Sequence, residues 1–421
     1  MTKGADVARM PEVLRQRGFR LLFAARSTSA LGTAMADLAA TFAILRIGGS
    51  AGDLGLVFAA GTLPGLVLTL VGGVAGDRWD RRRILVLTNL TSALVQATLA
   101  TLLLTGHAAV WQFVVGQVVG GIAFAFAWPA GVALFPTVVG RAHLQAANSL
   151  VGMASNVAEI AGPPVAGILL AVSSPGWALA ADALSFVAAA LLISRLPRSE
   201  GTVVAGRSLW GDIRGGWREF ASRRWVWLMV ASFASYQATV LPAIFVLGPV
   251  LAVQHLHGAT SWAVVLSARA VGAVLAGLVL LRWRPRRPLV ASTLVILLDV
   301  PFLAALALGL PLAAVAMAGA LSSAGVVAAD TVWESTFQAN VPDDVLSRVS
   351  SYESLGSIMI NPLGFALVGA VAAALGAGPV ITAAIGGQVL VRLLLVASPS
   401  LRAVRRAEPH PPLVEESLAG S

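Results

Sequence analysis

Apolar stretches of about 20 residues recur along this chain, each long enough as a helix to cross a bilayer core of roughly 30 Å. Short polar breaks separate them. In lipid, only helices and closed barrels satisfy their own backbone groups. Barrel strands alternate apolar and polar residues over about 10 positions, whereas these runs are apolar all round. The spans read as Phe19–Leu45, Leu54–Gly76, Ile84–Thr105, Ala108–Phe135, Ala146–Val172, Trp177–Leu196, Trp225–Ala252, Ser261–Leu281, Leu289–Gly309, Pro311–Phe337, Ser351–Leu375 and Pro379–Ala397. Composition agrees: charged residues make up 12% of the chain, against about 25% in soluble domains. The mean hydropathy is +0.83.

The net charge of +9 is a topology signal. Of 29 basic residues, 25 fall in the two termini and in alternate connections, among them Arg78 and Arg81 to Arg83, Arg195 to Arg224, and Arg282 to Arg287. The opposite connections hold only Arg46; Arg26, Arg269 and Arg392 fall within spans. By the positive-inside rule both termini face the cytoplasm, so the number of spans is even. Nucleic-acid binding is excluded as a reading, because the arginines sit between spans instead of forming one face. With no cysteine and scattered histidines, the chain offers no metal-ligand spacing, and no phosphate-binding loop is present. No metal, cofactor or enzyme activity is expected. Residues 1–20 are polar and basic, with no signal peptide.

Five segments follow. Residues 1–18 form a cytoplasmic tail, 19–196 a first six-helix bundle, 197–224 a basic cytoplasmic linker, 225–397 a second six-helix bundle, and 398–421 a second tail. The linker carries an amphipathic stretch with Trp210, Trp217 and Trp225, read as a tether at the headgroups. The halves look alike at an offset of 202, where Val139 meets Val341, Leu144 meets Leu346, Gly162 meets Gly364 and Gly167 meets Gly369. Parallel repeats of this kind are one transporter architecture.

The loop after the second span reads GGVAGDRWDRRRIL, with Gly73, Asp77, Arg78, Arg81 and Arg82 in the spacing G-x-x-x-D-R-x-x-R-R. This resembles the signature of the major facilitator superfamily in the same loop. The front of the chain and the stretch WESTFQANVPDDVLSRVSSYESLGS near its end resemble an exporter branch of actinobacterial type, similar to enterobactin and macrolide efflux proteins. The resemblance covers Phe19 to Ala397. It implies an all-α integral membrane fold of twelve helices in two pseudo-symmetric bundles. It also implies a bacterial plasma-membrane exporter of drugs or metabolites, driven by proton antiport through alternating access and working as a monomer with small molecules, protons and lipid. Asp77 would lock one state against the eleventh helix. Uptake, or siderophore or lysolipid transport, is the alternative of the same fold. A non-transporting sensor or scaffold is the alternative of another class.

The fifth span carries Gly152, Gly162, Pro163, Pro164 and Gly167. They resemble the antiporters' hinge motif and read equally as a tightly packed, kinked helix. Many proton-coupled members have an arginine in the fourth helix; Gln117 stands there in this chain. A charge inside a span faces a cavity or a partner. Asp37, on one helical face with Arg26, is the first candidate for the proton or substrate pathway. Glu159, Asp330 and Glu334 are further candidates, with Arg269 as counter-ion to one of these acids. Asp182, Asp299, Glu353 and Arg392 read as helix ends or packing pairs.

Overall fold

The computed structural model describes residues 12–140, 143–197, 217–280, 282–283 and 285–405. Twelve helices among these residues are long and apolar enough to cross a membrane. In the first half they are α1 (Arg17–Arg46), α2 (Ala51–Arg78), α3 (Arg81–Leu104), α4 (Val110–Val139), α5 (Leu144–Val172) and α6 (Pro175–Ser194). In the second half they are α7 (Arg224–His255), α8 (Ala259–Leu280), α9 (Pro288–Ala307), α10 (Leu312–Asn340), α11 (Asp343–Ile358 and Asn361–Leu375) and α12 (Ala377–Ala397). Ser50 and Asp53 start α2 by capping each other's backbone N–H, the reciprocal arrangement that satisfies orphan donors. Between Pro242 and Pro249, which lack backbone N–H groups, α7 widens into a π-helical turn, Ala243–Leu247.

The helices repeat their packing. In the first half α1 packs on α5 and α6, α2 on α4, and α3 on α6; in the second, α7 packs on α11 and α12, α8 on α10, and α9 on α12. The offset found in the sequence has a physical cause. Gly162 lets α5 approach Ala34 of α1, and Gly364 lets α11 approach Ala238 of α7. Gly167 faces Ala263 of α8, and Gly369 faces Ala51 and Gly52 of α2. So α2–α11 and α5–α8 are the two seams between the halves, and small residues line both, as close helix approach in lipid requires.

The seams lie at one end only. A shared core joins the halves at the end away from the chain termini, with Phe42, Leu54 and Leu170 packed among Ile244, Trp262 and Phe365. At the terminal end the core splits in two. One part holds only first-half residues, such as Phe19 and Leu134; the other holds only second-half residues, such as Met229 and Trp333. The linker's described helical end sends Trp217 and Phe220 onto Tyr352 of α11. Trp210 lies outside the described residues.

Candidate functional site

The split core leaves a cleft between the halves, and one helix face records its depth. On α5, Asn148, Gly152, Asn156 and Glu159 are exposed, while Gly162, Ala166, Gly167 and Leu170 further along the same face are buried. Helical periodicity places these residues together. The exposed part lines the cleft, and the buried part is the seam. On α1 the change falls at Asp37. Ala30 and Thr33 are half-buried and Asp37 is exposed, whereas Thr41 and Ile44 beyond it on that face are buried. Asp37 therefore sits at the blind end of the cleft. It stands nine residues, or about 14 Å, from the helix end at Arg46. The floor is aromatic: Phe58 of α2 stacks on Phe365 of α11 at 5.1 Å and meets Phe245 of α7 at 6.4 Å.

Asp330 of α10 is exposed as well, and the charged side chain that acts on it is Glu353 of α11. Glu334 accepts a hydrogen bond from Gln338 at 2.6 Å. Arg26, though on the Asp37 face of α1, turns to α4, where it donates to the Gly131 carbonyl at 3.1 Å and covers the Phe135 ring at 5.2 Å. Gln117 of α4 packs against Gly61 of α2.

One expectation is corrected. Arg269 is not the counter-ion of Asp37, Glu159, Asp330 or Glu334. It donates to Ser322 of α10 at 2.6 Å and lies over the Phe302 ring at 5.0 Å, and Ser322 in turn donates to Asp299 of α9. Its acid is Asp299. Of the two readings given for Asp182, Asp299 and Arg392, helix ends or packing pairs, the structure gives packing partners. All three are buried, Arg392 completely. Arg392 donates to Ser232 and, at 2.9 Å, to Gln388, which reaches Thr239 at 3.0 Å. Asp299 feels both Arg269 and Arg392, and Tyr236 of α7 faces it too. Asp182 of α6 accepts from Gln96 of α3 at 2.8 Å and from Ser185 at 3.0 Å. The signal for all three was present in the sequence, since an ionisable residue inside a span needs a partner. What the sequence lacked was the partner's address.

The loop motif is partly visible. Arg81 donates to the Ala133 carbonyl of α4 at 3.2 Å, and Arg82 to the Leu196 carbonyl beyond α6 at 2.8 Å. Arg78 is exposed. Gly73 and Asp77 lie on the last turns of α2, and the surroundings of both are outside what the structure describes. The Asp343–Ile358 part of α11 packs on α7, and α2 meets α11 along Asn361–Leu375. In α5, a Cβ on Gly152 would meet nothing within 4 Å, so this glycine is not a packing contact; Gly162 and Gly167 are. The helix continues through Pro163 and Pro164 without a break.

Comparison with known proteins follows the same lines. A family model described as transmembrane secretion effector matches residues 11–419. The multidrug efflux pump Tap of Mycolicibacterium fortuitum is 35% identical over 195 residues, 45% of this chain and 47% of Tap. Macrolide efflux protein A of Streptococcus pyogenes is 26% identical over 182 residues, 43% of this chain and 45% of that protein. The aligned stretches thus span under half the length of these relatives. Among solved structures, the nucleoside transporter NupG superposes with a TM-score of 0.68 at 10% identity, over 90% of this chain and 98% of NupG. A D-xylose-proton symporter superposes with a TM-score of 0.68 at 13% identity, over 91% and 98% of the two chains. These likenesses show the fold.

Proposed function

The chain belongs to the transmembrane secretion effector family of the major facilitator superfamily, and on that premise we propose that it exports a small hydrophobic molecule, a drug or metabolite, in exchange for protons. Its twelve membrane-length helices and bacterial efflux relatives make it a multi-pass plasma-membrane protein. The observation that carries the reading is the cleft, which is closed at one end, open at the other and has Asp37 exposed at its blind end. The basic residues gathered at the terminal end orient that opening to the cytoplasm. The chain then loads from the cytoplasmic side and releases once the α2–α11 and α5–α8 seams part.

The charges of the cleft favour a substrate with a positive charge. Asp37, Glu159, Asp330 and Glu334 are exposed on the helices that bound it. The arginines within the spans are engaged elsewhere: Arg26 by Gly131 and Phe135, Arg269 by Ser322 and Phe302. A carboxylate at mid-membrane costs about 2.5–3.5 kcal/mol on insertion scales. Either a proton or a cationic substrate relieves that cost, and competition between the two couples their movements.

Inverted membrane vesicles carrying the protein should accumulate tetraphenylphosphonium when their interior is acidified, and a protonophore should stop it. Asp37→Asn should reduce accumulation to that of vesicles without the protein. Undiminished accumulation in Asp37→Asn at normal protein levels would remove Asp37 from the mechanism. Uptake that appears only in vesicles of the opposite orientation would reverse the direction of transport.

A further inference from the structure

We infer that Asp182 is a second proton site of the transport cycle, sharing with Asp37 one proton that a cationic substrate displaces. The inference rests on the export reading above and adds to it the residue that holds the proton.

Asp182 lies behind Asp37, walled off from the cleft by α1. It is wholly buried. Gln96 Nε2 of α3 donates to its Oδ2 at 2.8 Å, and Ser185 Oγ of its own helix donates to its Oδ1 at 3.0 Å. From α1, the Thr33 hydroxyl acts on it too, more weakly than Ser185 or Gln96. Gly32 lies so close that a Cβ there would stand 2.5 Å from Oδ1. The charged group acting on Asp182 is Asp37, another carboxylate. No described ion pair involves Asp182. Of the basic residues of α1, Arg26 turns to Gly131 of α4 and Arg46 to the Leu170 carbonyl of α5 at 3.2 Å, while Arg17 and Arg20 are exposed near the other end of the helix.

The second half provides the contrast. The third and sixth helices of each half pack together, α3 on α6 and α9 on α12. Both junctions bury an aspartate. Asp299 has Arg269 and Arg392 acting on it, so positive charge offsets part of its own. Asp182 has a carboxamide, two hydroxyls and a second acid. A buried carboxylate without a cation is costly to keep charged, so this junction calls for a proton whenever no other positive charge is near.

Its neighbours also suit both forms of the acid. Hydroxyls donate and accept, and a carboxamide can present either its NH₂ or its oxygen. Ser185, Thr33 and Gln96 can therefore bond Asp182 with or without its proton by reorienting in place. Thr33 is half-buried, one turn from Asp37 on the same face of α1, which makes it the bridge to the cleft. In the exchange step the carboxyl O–H of Asp182 breaks, the Thr33 oxygen takes that proton, and the Thr33 hydroxyl gives its own proton to water in the cleft. No electrons change owner. A cation seated beside Asp37 supplies the positive charge that the proton had supplied.

The full-length protein, purified in detergent and weakly buffered, tests this with tetraphenylphosphonium as probe. The wild-type chain should release protons as it binds the cation, and its infrared difference spectrum should lose the C=O band of a protonated carboxyl. Asp182→Asn should still bind the cation, read by tryptophan fluorescence, while releasing fewer protons than the wild type and losing part of that band. Asp182→Glu should restore release. Undiminished release from Asp182→Asn overturns this inference alone. Wild-type binding without proton release overturns the antiport reading as well. Should the Asn variant fail to fold, the wild-type spectrum still decides: an unchanged carboxyl band on binding overturns the proposal.

Discussion

Asp299→Leu is expected to destabilise the folded protein by about 3–5 kcal/mol, the cost of leaving buried charge without its partner. Asp299 is 3% exposed and Arg392 is fully buried. Both Arg269 and Arg392 act on this carboxylate. Removing it leaves Arg269 and Arg392 without the acid that acts on both, with only Ser322, Ser232 and Gln388 to hold them. Thermal unfolding in detergent would register the loss. The double variant Asp299→Leu with Arg392→Leu should recover part of it, because the pair then leaves together and apolar side chains fill the space. A single variant as stable as the wild type would show that the network does not hold the second half together. Asp182→Asn is a useful contrast. It removes no counter-charge, so its cost should stay within about 1.5 kcal/mol, the upper range for an ordinary hydrogen bond.

The second large effect is expected at the seam. Gly55→Leu puts a branched side chain where a Cβ alone would already collide with the Phe365 carbonyl of α11. The two backbones cannot then meet, and the closed end is propped open. Transport should be lost, since alternation requires both ends to close in turn. The chain contains no cysteine, so accessibility can be read directly. Thr41, buried just beyond Asp37, can be replaced by Thr41→Cys and probed with a membrane-impermeant maleimide from the side opposite the termini. The cysteine should react slowly in the otherwise wild-type chain, only as often as the seams part, and many times faster when Gly55→Leu is added. Equal rates in both would mean that α2 and α11 close by another route.

Much of this architecture was legible in advance because it is written locally. Each span carries its own hydrophobicity. The pairs Gly162 with Gly364 and Gly167 with Gly369 stood out by offset, and the structure supplies their cause in helix approach. The motif from Gly73 to Arg82 pointed to the family that the match over residues 11–419 establishes. Asp37 was legible as a lone acid deep in a span. The polar junctions were not legible, and sequence distance explains why. Gln96 is 86 positions from Asp182, and Ser232 is 160 positions from Arg392. No periodicity links such residues. Arg269 shows the same limit. As a charge in α8 it called for an acid, but several acids lay at comparable depth, and only packing selects Asp299.

The amino-acid order alone therefore determined the number of crossings, the doubling of a six-helix unit and the family. These follow from hydrophobic length, from repeated small residues and from a short loop motif, all of which act within one helix or one turn. Tertiary structure alone decided two things. It decided which end is closed, because α5 is identical in sequence whether its Asn148–Glu159 face meets water or another helix. It also decided which buried acid has a cation to balance it. Asp299 does and Asp182 does not, and that difference arises only where side chains from distant helices meet in a medium that solvates neither.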